Sequence, residues 1–144
     1  MGINCHQYRG LIDRLSDKYR VIAPDLPGFG FSDAHEAKTF GYIFDHLAEV
    51  ITGFTDALNL TRYALYVFDY GAPVGYRLAA SRPERVVALI SQNGNAYAEG
   101  LSEGWNPVRA YREKPTPETA TTCAPFSRVA RRNSCINRGE ADHA

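Results

Sequence analysis

The run LYVFDYGAPVG, residues 65–75, sets a carboxylate at the end of an apolar stretch, with Gly71 and Gly75 just after it. Three physical features meet at Asp69. A helix amino terminus offers unbonded N–H groups and the positive end of a dipole, which favour an anion. A tight reversal from strand to helix takes small neighbours, and the two glycines supply them. The carboxyl ends of parallel strands are where open α/β sheets bind ligands. Two readings follow. Asp69 caps the helix, or it is the exposed nucleophile of a strand-to-helix elbow. A carboxylate is ionised at neutral pH, so it can attack an sp3 carbon without a base to remove a proton.

Several elements must position that carboxylate. Residues 62–68, RYALYVF, are too continuously apolar for a half-exposed strand and read as one covered on both faces, as in parallel sheets. Residues 71–81 read as a short helix ended by RPER at Pro83. Residues 86–93, VVALISQN, read as a second long strand. Upstream, Tyr8, Leu11, Ile12, Leu15 and Tyr19 share one face of a predicted helix over residues 5–19. Val21, Ile22 and Ala23 read as a short strand stopped by Pro24, followed by the turn-rich loop DLPGFGFSD. Residues 42–58 carry the clearest helical pattern. Ile43, Leu47, Val50, Ile51, Phe54 and Leu58 lie on one face, and Thr39 is the cap candidate. Alternating strands and helices predict an α/β fold. A short helix is expected over residues 107–112.

The totals exclude some classes. With 144 residues the chain can build one domain with a core. Sixteen basic and sixteen acidic side chains leave no net field to recruit nucleic acid or an anionic membrane. No apolar run approaches the ~20 residues of a membrane span, and the first residues lack the apolar core of a secretion signal. Cys5, Cys123 and Cys135 show no C-x-x-C spacing, which fits a reducing compartment and a cytoplasmic location. No Cys/His spacing suits zinc, so no metal is expected. The GFG after the first strand is not a dinucleotide fingerprint, because position 33 is Asp and no apolar-periodic helix follows directly. No phosphate-loop G-K-[ST] is present, so no cofactor is expected. The basic cluster Arg128, Arg131, Arg132 and Arg138 reads as a solvated tail rather than a nucleic-acid contact, since no aromatics are interleaved.

VFDYGAPVGYRLA, with YRVIAPDLPGFGFSD and DHLAEVITGFTDALNL upstream, resembles the α/β-hydrolase fold. More narrowly it resembles the branch with an aspartate nucleophile, the epoxide hydrolases and haloalkane dehalogenases, from about Tyr8 to Glu118. The resemblance implies that Asp69 is the nucleophile, that an alkyl ester forms on it, and that the backbone N–H of Tyr70 is an oxyanion donor. Hydrolysis of the ester then needs a histidine base oriented by a second carboxylate. Dehalogenases typically carry tryptophan after the nucleophile; Tyr70 stands there, which favours an epoxide over a halide as the small apolar substrate. A cap phenol would hold the epoxide oxygen. Tyr97 and Tyr111 lie where a cap would begin, as does Trp105, and packing is the alternative role for all three.

The same resemblance exposes departures. The H-G-x-P oxyanion motif is not in this sequence, and the expected fold is a three-layer αβα parallel-sheet fragment that lacks the N-terminal strands and the C-terminal part. A gap is then expected between the strand at Val21 and the strand at Arg62, either collapsed or with open edges. His6 and His46 fall in helices, His35 in a polar loop and His143 in the tail, so none fits the base. The expected divisions are 1–93 as a partial hydrolase core, 94–118 as the start of a cap, and 119–144 as a divergent, disordered tail arising from a truncated or frame-shifted reading frame. The expected function is an epoxide hydrolase-like α/β hydrolase, inactive as this chain. The alternatives are a haloalkane dehalogenase-like hydrolase and a nonenzymatic interaction domain derived from the fold. The oligomeric state is not readable.

Overall fold

The computed structural model describes residues 4–123. The chain falls into two compact units, up to Ala96 and from Tyr97 onward. In the first, a 3-10 turn over Cys5–Tyr8 leads into α1, Arg9–Leu15. After a loop come the short α2, Ala37–Phe40, and α3, Phe44–Ala57. Strand β1, Tyr63–Phe68, turns through Asp69–Gly71 into α4, Ala72–Ser81. A second turn, Pro83–Arg85, feeds β2, Val86–Gln92. The two strands pair in parallel, with Tyr66 opposite Ile90 and Phe68 opposite Gln92. This strand–helix–strand unit has the parallel α/β arrangement expected from the sequence.

The core explains the arrangement. Leu65 and Val67, two residues apart, point to the same face of β1. There they join Leu47, Ala48 and Ile51 of α3 and Ala72, Val74 and Leu78 of α4 in one buried cluster. Val67, Val74 and Leu78 are essentially inaccessible, and each such burial contributes roughly 1.5–3 kcal/mol. Outside the core, Arg77 of α4 pairs with Asp45 of α3 and lies over the Phe44 ring, 5.7 Å from its centroid. Arg85 pairs with Asp56.

Several expectations need correction. Residues 21–23 are not a strand. A strand exists by its ladder, and β1 pairs only with β2 among the described residues, so the segment has composition for a strand but no neighbour to bond. Of the two outcomes foreseen at that gap, the edge of β1 stays open. Strand β1 is buried on one face only; on the other, Tyr66 and Phe68 are half-exposed. Helix α1 stops at Leu15, and Tyr19 is exposed. Thr39 does not cap the long helix. It lies in α2, its hydroxyl donating to the Glu36 carbonyl, and the cap position of α3 is Ile43, 60% exposed rather than on the buried face.

In the second unit, α5 spans Asn106–Glu113 with Pro107 in its first turn, one residue longer at each end than expected. Residues 117–123 are helical as well, running from the end of the stretch expected to be a cap into the one expected to be a tail. The local cause is a reciprocal cap. The Thr119 N–H donates to Thr116 Oγ1 at 3.3 Å, and the Thr116 N–H to Thr119 Oγ1 at 3.0 Å, with Pro117 at the first helical position. The arginine cluster at 128–138, Cys135 and His143 lie outside the described residues.

The Arg85 guanidinium, hydrogen-bonded to Asp56, holds that carboxyl below the usual carboxylate range. A depressed folded pKa adds stability that is present above the unfolded value, about 3.9, and lost as pH falls through the folded one. Asp56→Asn is therefore expected to lower the Tm at pH 7, with the deficit narrowing as pH drops from about 5 toward 3. Thermal melts across that range check this.

Candidate active site at the end of the first strand

Asp69 is the first residue beyond β1 and has a φ of 47°, in the left-handed region that side chains other than glycine rarely occupy. The chain reverses there because the next residues must bury. Gly71 and Ala72 are buried directly behind it, followed by Val74, Gly75 and Leu78 along α4. The helix packs on the same strand that it leaves, which fixes a sharp turn at Asp69.

The carboxylate is exposed, and no hydrogen bond or ion pair engages it among the described residues. It does not cap α4. The cap position is Gly71, with no side-chain cap bond, so the capping reading of Asp69 is set aside. On the neighbouring strand Asn93 also follows β2 with a left-handed φ, 48°, so two such turns stand side by side at the carboxyl ends of the sheet.

Tyr70 faces the turn-rich loop. Its ring lies 6.3 Å from that of Phe29 and 5.2 Å from that of Phe44. The loop is organised by Asp25. The Phe31 N–H donates to Asp25 Oδ2 at 2.8 Å, the Cys5 N–H donates to Oδ1, and Ser32 Oγ donates to the Asp25 carbonyl at 2.8 Å. Burial pushes the Asp25 carboxyl up, but the N–H donors of Phe31 and Cys5 outweigh it and hold the group below its ordinary range. Gly30 has a φ of 57°, and a Cβ there would sit 2.2 Å from Asp25 Oδ2. Leu26, fully buried, anchors the loop in the core. The D-x-P-G-x-G-x-S stretch is thus a brace that places Phe29 on Tyr70.

The sequence pattern read Tyr8 only as one apolar-face residue among five. Its ring meets Tyr66 of β1 edge-on, with centroids 5.7 Å apart. Its hydroxyl is buried without a hydrogen-bond partner among the described residues. Burial, then the nearby Tyr66 and Asp69, push this phenol up to about 12, so it stays protonated beside the elbow. Helical periodicity carries no signal for such a placement. Tyr66 is itself engaged, donating to Gln92 Oε1.

The other site candidates are placed as follows. Tyr97, Trp105 and Tyr111 are exposed residues of the second unit. His6 and His35 are exposed, and His46 sets Nδ1 at 2.6 Å from the Phe40 carbonyl while its ring lies 4.4 Å from the Phe40 ring. None of these three histidines bonds to Asp69.

Comparisons with known proteins show the family and the fold. The model of a family described as alpha/beta hydrolase fold matches residues 2–133. An uncharacterized hydrolase of Saccharomyces cerevisiae is 46% identical over 107 residues, 74% of this chain and 36% of the yeast protein. Haloalkane dehalogenase 2 of Mycobacterium tuberculosis is 40% identical over 86 residues, 60% of this chain and 29% of that protein. Among solved structures, a meta-cleavage product hydrolase from Pseudomonas fluorescens aligns with a TM-score of 0.63 and 32% identity, over 74% of this chain and 38% of the other. An epoxide hydrolase from Bacillus megaterium aligns with a TM-score of 0.59 and 28% identity, over 77% of this chain and 36% of the other. The chain spans about a third of the length of these curated relatives. No helix among the described residues is long and apolar enough to cross a membrane.

Two stability outcomes follow. Gly30→Ala is expected to cost about 3 kcal/mol in urea unfolding, from a left-handed φ and the displaced Asp25 hydrogen bonds. Asp69→Gly is expected to raise stability by about 1 kcal/mol, because it relieves a strained φ; an unchanged or lower value would mean that the elbow stores no strain.

Proposed function

The chain belongs to the alpha/beta hydrolase fold family, and on that premise we propose that Asp69 is a nucleophile that forms an alkyl-enzyme ester with a small apolar epoxide. The observation that carries the reading is the unengaged, exposed carboxylate held at a φ of 47° between a strand buried on one face and the helix packed on that face. Strain of this kind persists where the surrounding packing over-determines the backbone, and it concentrates at active sites.

The chemistry is a displacement. An Asp69 carboxylate oxygen bonds to an epoxide carbon, the ring C–O bond breaks, and its electron pair goes to the oxygen. That oxygen takes a proton from water, leaving a 2-hydroxyalkyl ester on Asp69. No base is needed for attack, since the carboxylate is already ionised. Hydrolysis of the ester is a different step. It needs a base to deprotonate water and an N–H donor for the tetrahedral oxyanion, for which the Tyr70 backbone is the candidate. Among the described residues none of His6, His35 and His46 bonds to Asp69, and the reading is therefore of a reaction that stops at the ester. Tyr97, Trp105 and Tyr111 enter this reading as the start of a cap over residues 94–118.

Dehalogenation is the second reading, favoured by the sequence match to a haloalkane dehalogenase. The same attack would then expel a halide and leave a plain alkyl ester. Tyr70, in place of the tryptophan typical of such enzymes, argues for the epoxide.

Intact-mass measurement decides between them. Incubation with styrene oxide is expected to add one whole epoxide mass per chain, without continued turnover, and Asp69→Asn is expected to abolish the addition. A 1-bromoalkane is expected to react more than tenfold more slowly, as judged on the ~1.4 kcal/mol-per-decade scale. Faster alkylation by the bromoalkane would favour the dehalogenase reading. Unaltered labelling of Asp69→Asn, or multiple turnover lost in Asp69→Ala, would contradict the proposal or its arrest at the ester.

A further inference from the structure

Among the described residues, those other than glycine that hold a left-handed φ are Asn59 at 53°, Asp69 at 47° and Asn93 at 48°. The first has an ordinary cause. It follows α3, where the Asn59 N–H donates to the Asp56 carbonyl and the Leu60 N–H to the Thr55 carbonyl, both at 2.9 Å. A helix that ends with this pair of bonds sets a left-handed residue at that position. No helix ends at Asp69 or at Asn93. Each is the first residue beyond its strand, and Phe68 lies opposite Gln92 in the parallel ladder, so the two are neighbours.

Packing pins the second turn to the same element as the first. Gly94 lies so close to the start of α4 that a Cβ on it would sit 2.7 Å from the Ala72 Cβ and 2.6 Å from Tyr76 Oη. Tyr76 Oη and Ser91 Oγ, 2.5 Å apart, tie α4 to β2 just before the turn. Asp69 leads into that helix through Gly71 and Ala72. The first turn of α4 thus fixes both Asp69 and Asn93. The Asn93 side chain is exposed, and no hydrogen bond engages its carboxamide among the described residues. Its N–H donors are unspent.

Attack by Asp69 on an epoxide drives charge onto the ring oxygen. A donor already in place where that charge develops lowers the barrier. A carboxamide suits a position beside a nucleophilic carboxylate, because it donates without a charge of its own. A second carboxylate there would only accept and would repel the first; an ammonium would pair with the nucleophile. We infer that Asn93 is a catalytic residue of the first step, its Nδ2–H donating to the epoxide oxygen as the C–O bond breaks. The hydrogen is shared and not transferred. The proton on the product still comes from water, and the carboxamide is unchanged at the end. This inference rests on the reading of Asp69 as the nucleophile.

The test compares two reagents on the 144-residue protein, with ester formation on Asp69 followed by mass spectrometry. The leaving oxygen of styrene oxide concentrates charge and needs a donor; the iodide leaving 1-iodobutane is a poor acceptor. Asn93→Gly keeps the left-handed turn and removes the carboxamide. Asn93→Asp keeps the shape and removes the donors. Each is expected to lower the ratio of the styrene oxide rate to the iodobutane rate about tenfold, the worth of one hydrogen bond to a developing charge, with an unchanged circular dichroism spectrum. A ratio in Asn93→Gly equal to that of the wild type would overturn the inference and leave the reading of Asp69 standing. So would equal slowing with both reagents, the mark of a residue that only shapes the turn. A wild type that gains no ester on Asp69 would overturn both.

Discussion

The left-handed backbone at Asp69 is the constraint on which the rest of the first unit depends. A strand that runs into a helix packed on its own face must reverse within a few residues. The burial of Val67 on one side and of Ala72, Val74 and Leu78 on the other fixes where the reversal falls. The turn cannot move toward the strand without exposing Val67, nor toward the helix without exposing Ala72. Asp69 is what remains between them. Its φ of 47° costs on the order of 1 kcal/mol, several-fold less than the burial that it permits.

Everything nearby serves that turn. Asp25 ties the loop to the first helical turn through the Cys5 N–H, Gly30 leaves room for its carboxylate, and the loop sets Phe29 against Tyr70. Helix α3 sends Phe44 to the same ring and Asp45 to Arg77 of α4. Tyr8 lies against the opposite face of β1, with a hydroxyl shielded and unspent. The result is an ionisable oxygen pair held out at the carboxyl end of a parallel sheet, on a backbone that packing prevents from relaxing. A preset position of this kind lowers the entropic part of a displacement barrier.

Much of this was legible in the amino-acid sequence because it rests on local contrasts. An apolar run that ends in Asp and then Gly says where a strand stops and a helix begins, and RPER says where that helix ends. What the pattern does not carry is neighbourhood. Residues 21–23 have the composition of a strand, yet a strand needs a partner for its ladder. The apolar run 62–68 says that something should cover both faces, but not whether it does; the same holds for β2. The φ of Asp69 is only weakly signalled by its side chain, since aspartate tolerates the left-handed region but equally serves as a cap or a surface charge. The helix at 117–123 carries no apolar period; its cause is a threonine pair three residues apart, Thr116 and Thr119, around Pro117.

The most direct test of the account is to find which atom carries the alkyl group after reaction with styrene oxide. Trypsin cuts after Arg62 and Arg77, so the elbow is released as one peptide with Asp69 as its only carboxylate side chain and four tyrosines as competitors. Tandem mass spectrometry is predicted to place the adduct on Asp69, as an ester that hydroxylamine removes. An adduct on Tyr66, Tyr70 or another tyrosine, stable to hydroxylamine, or one spread over the surface carboxylates, would contradict the claim that the strained turn presents Asp69 as the nucleophile.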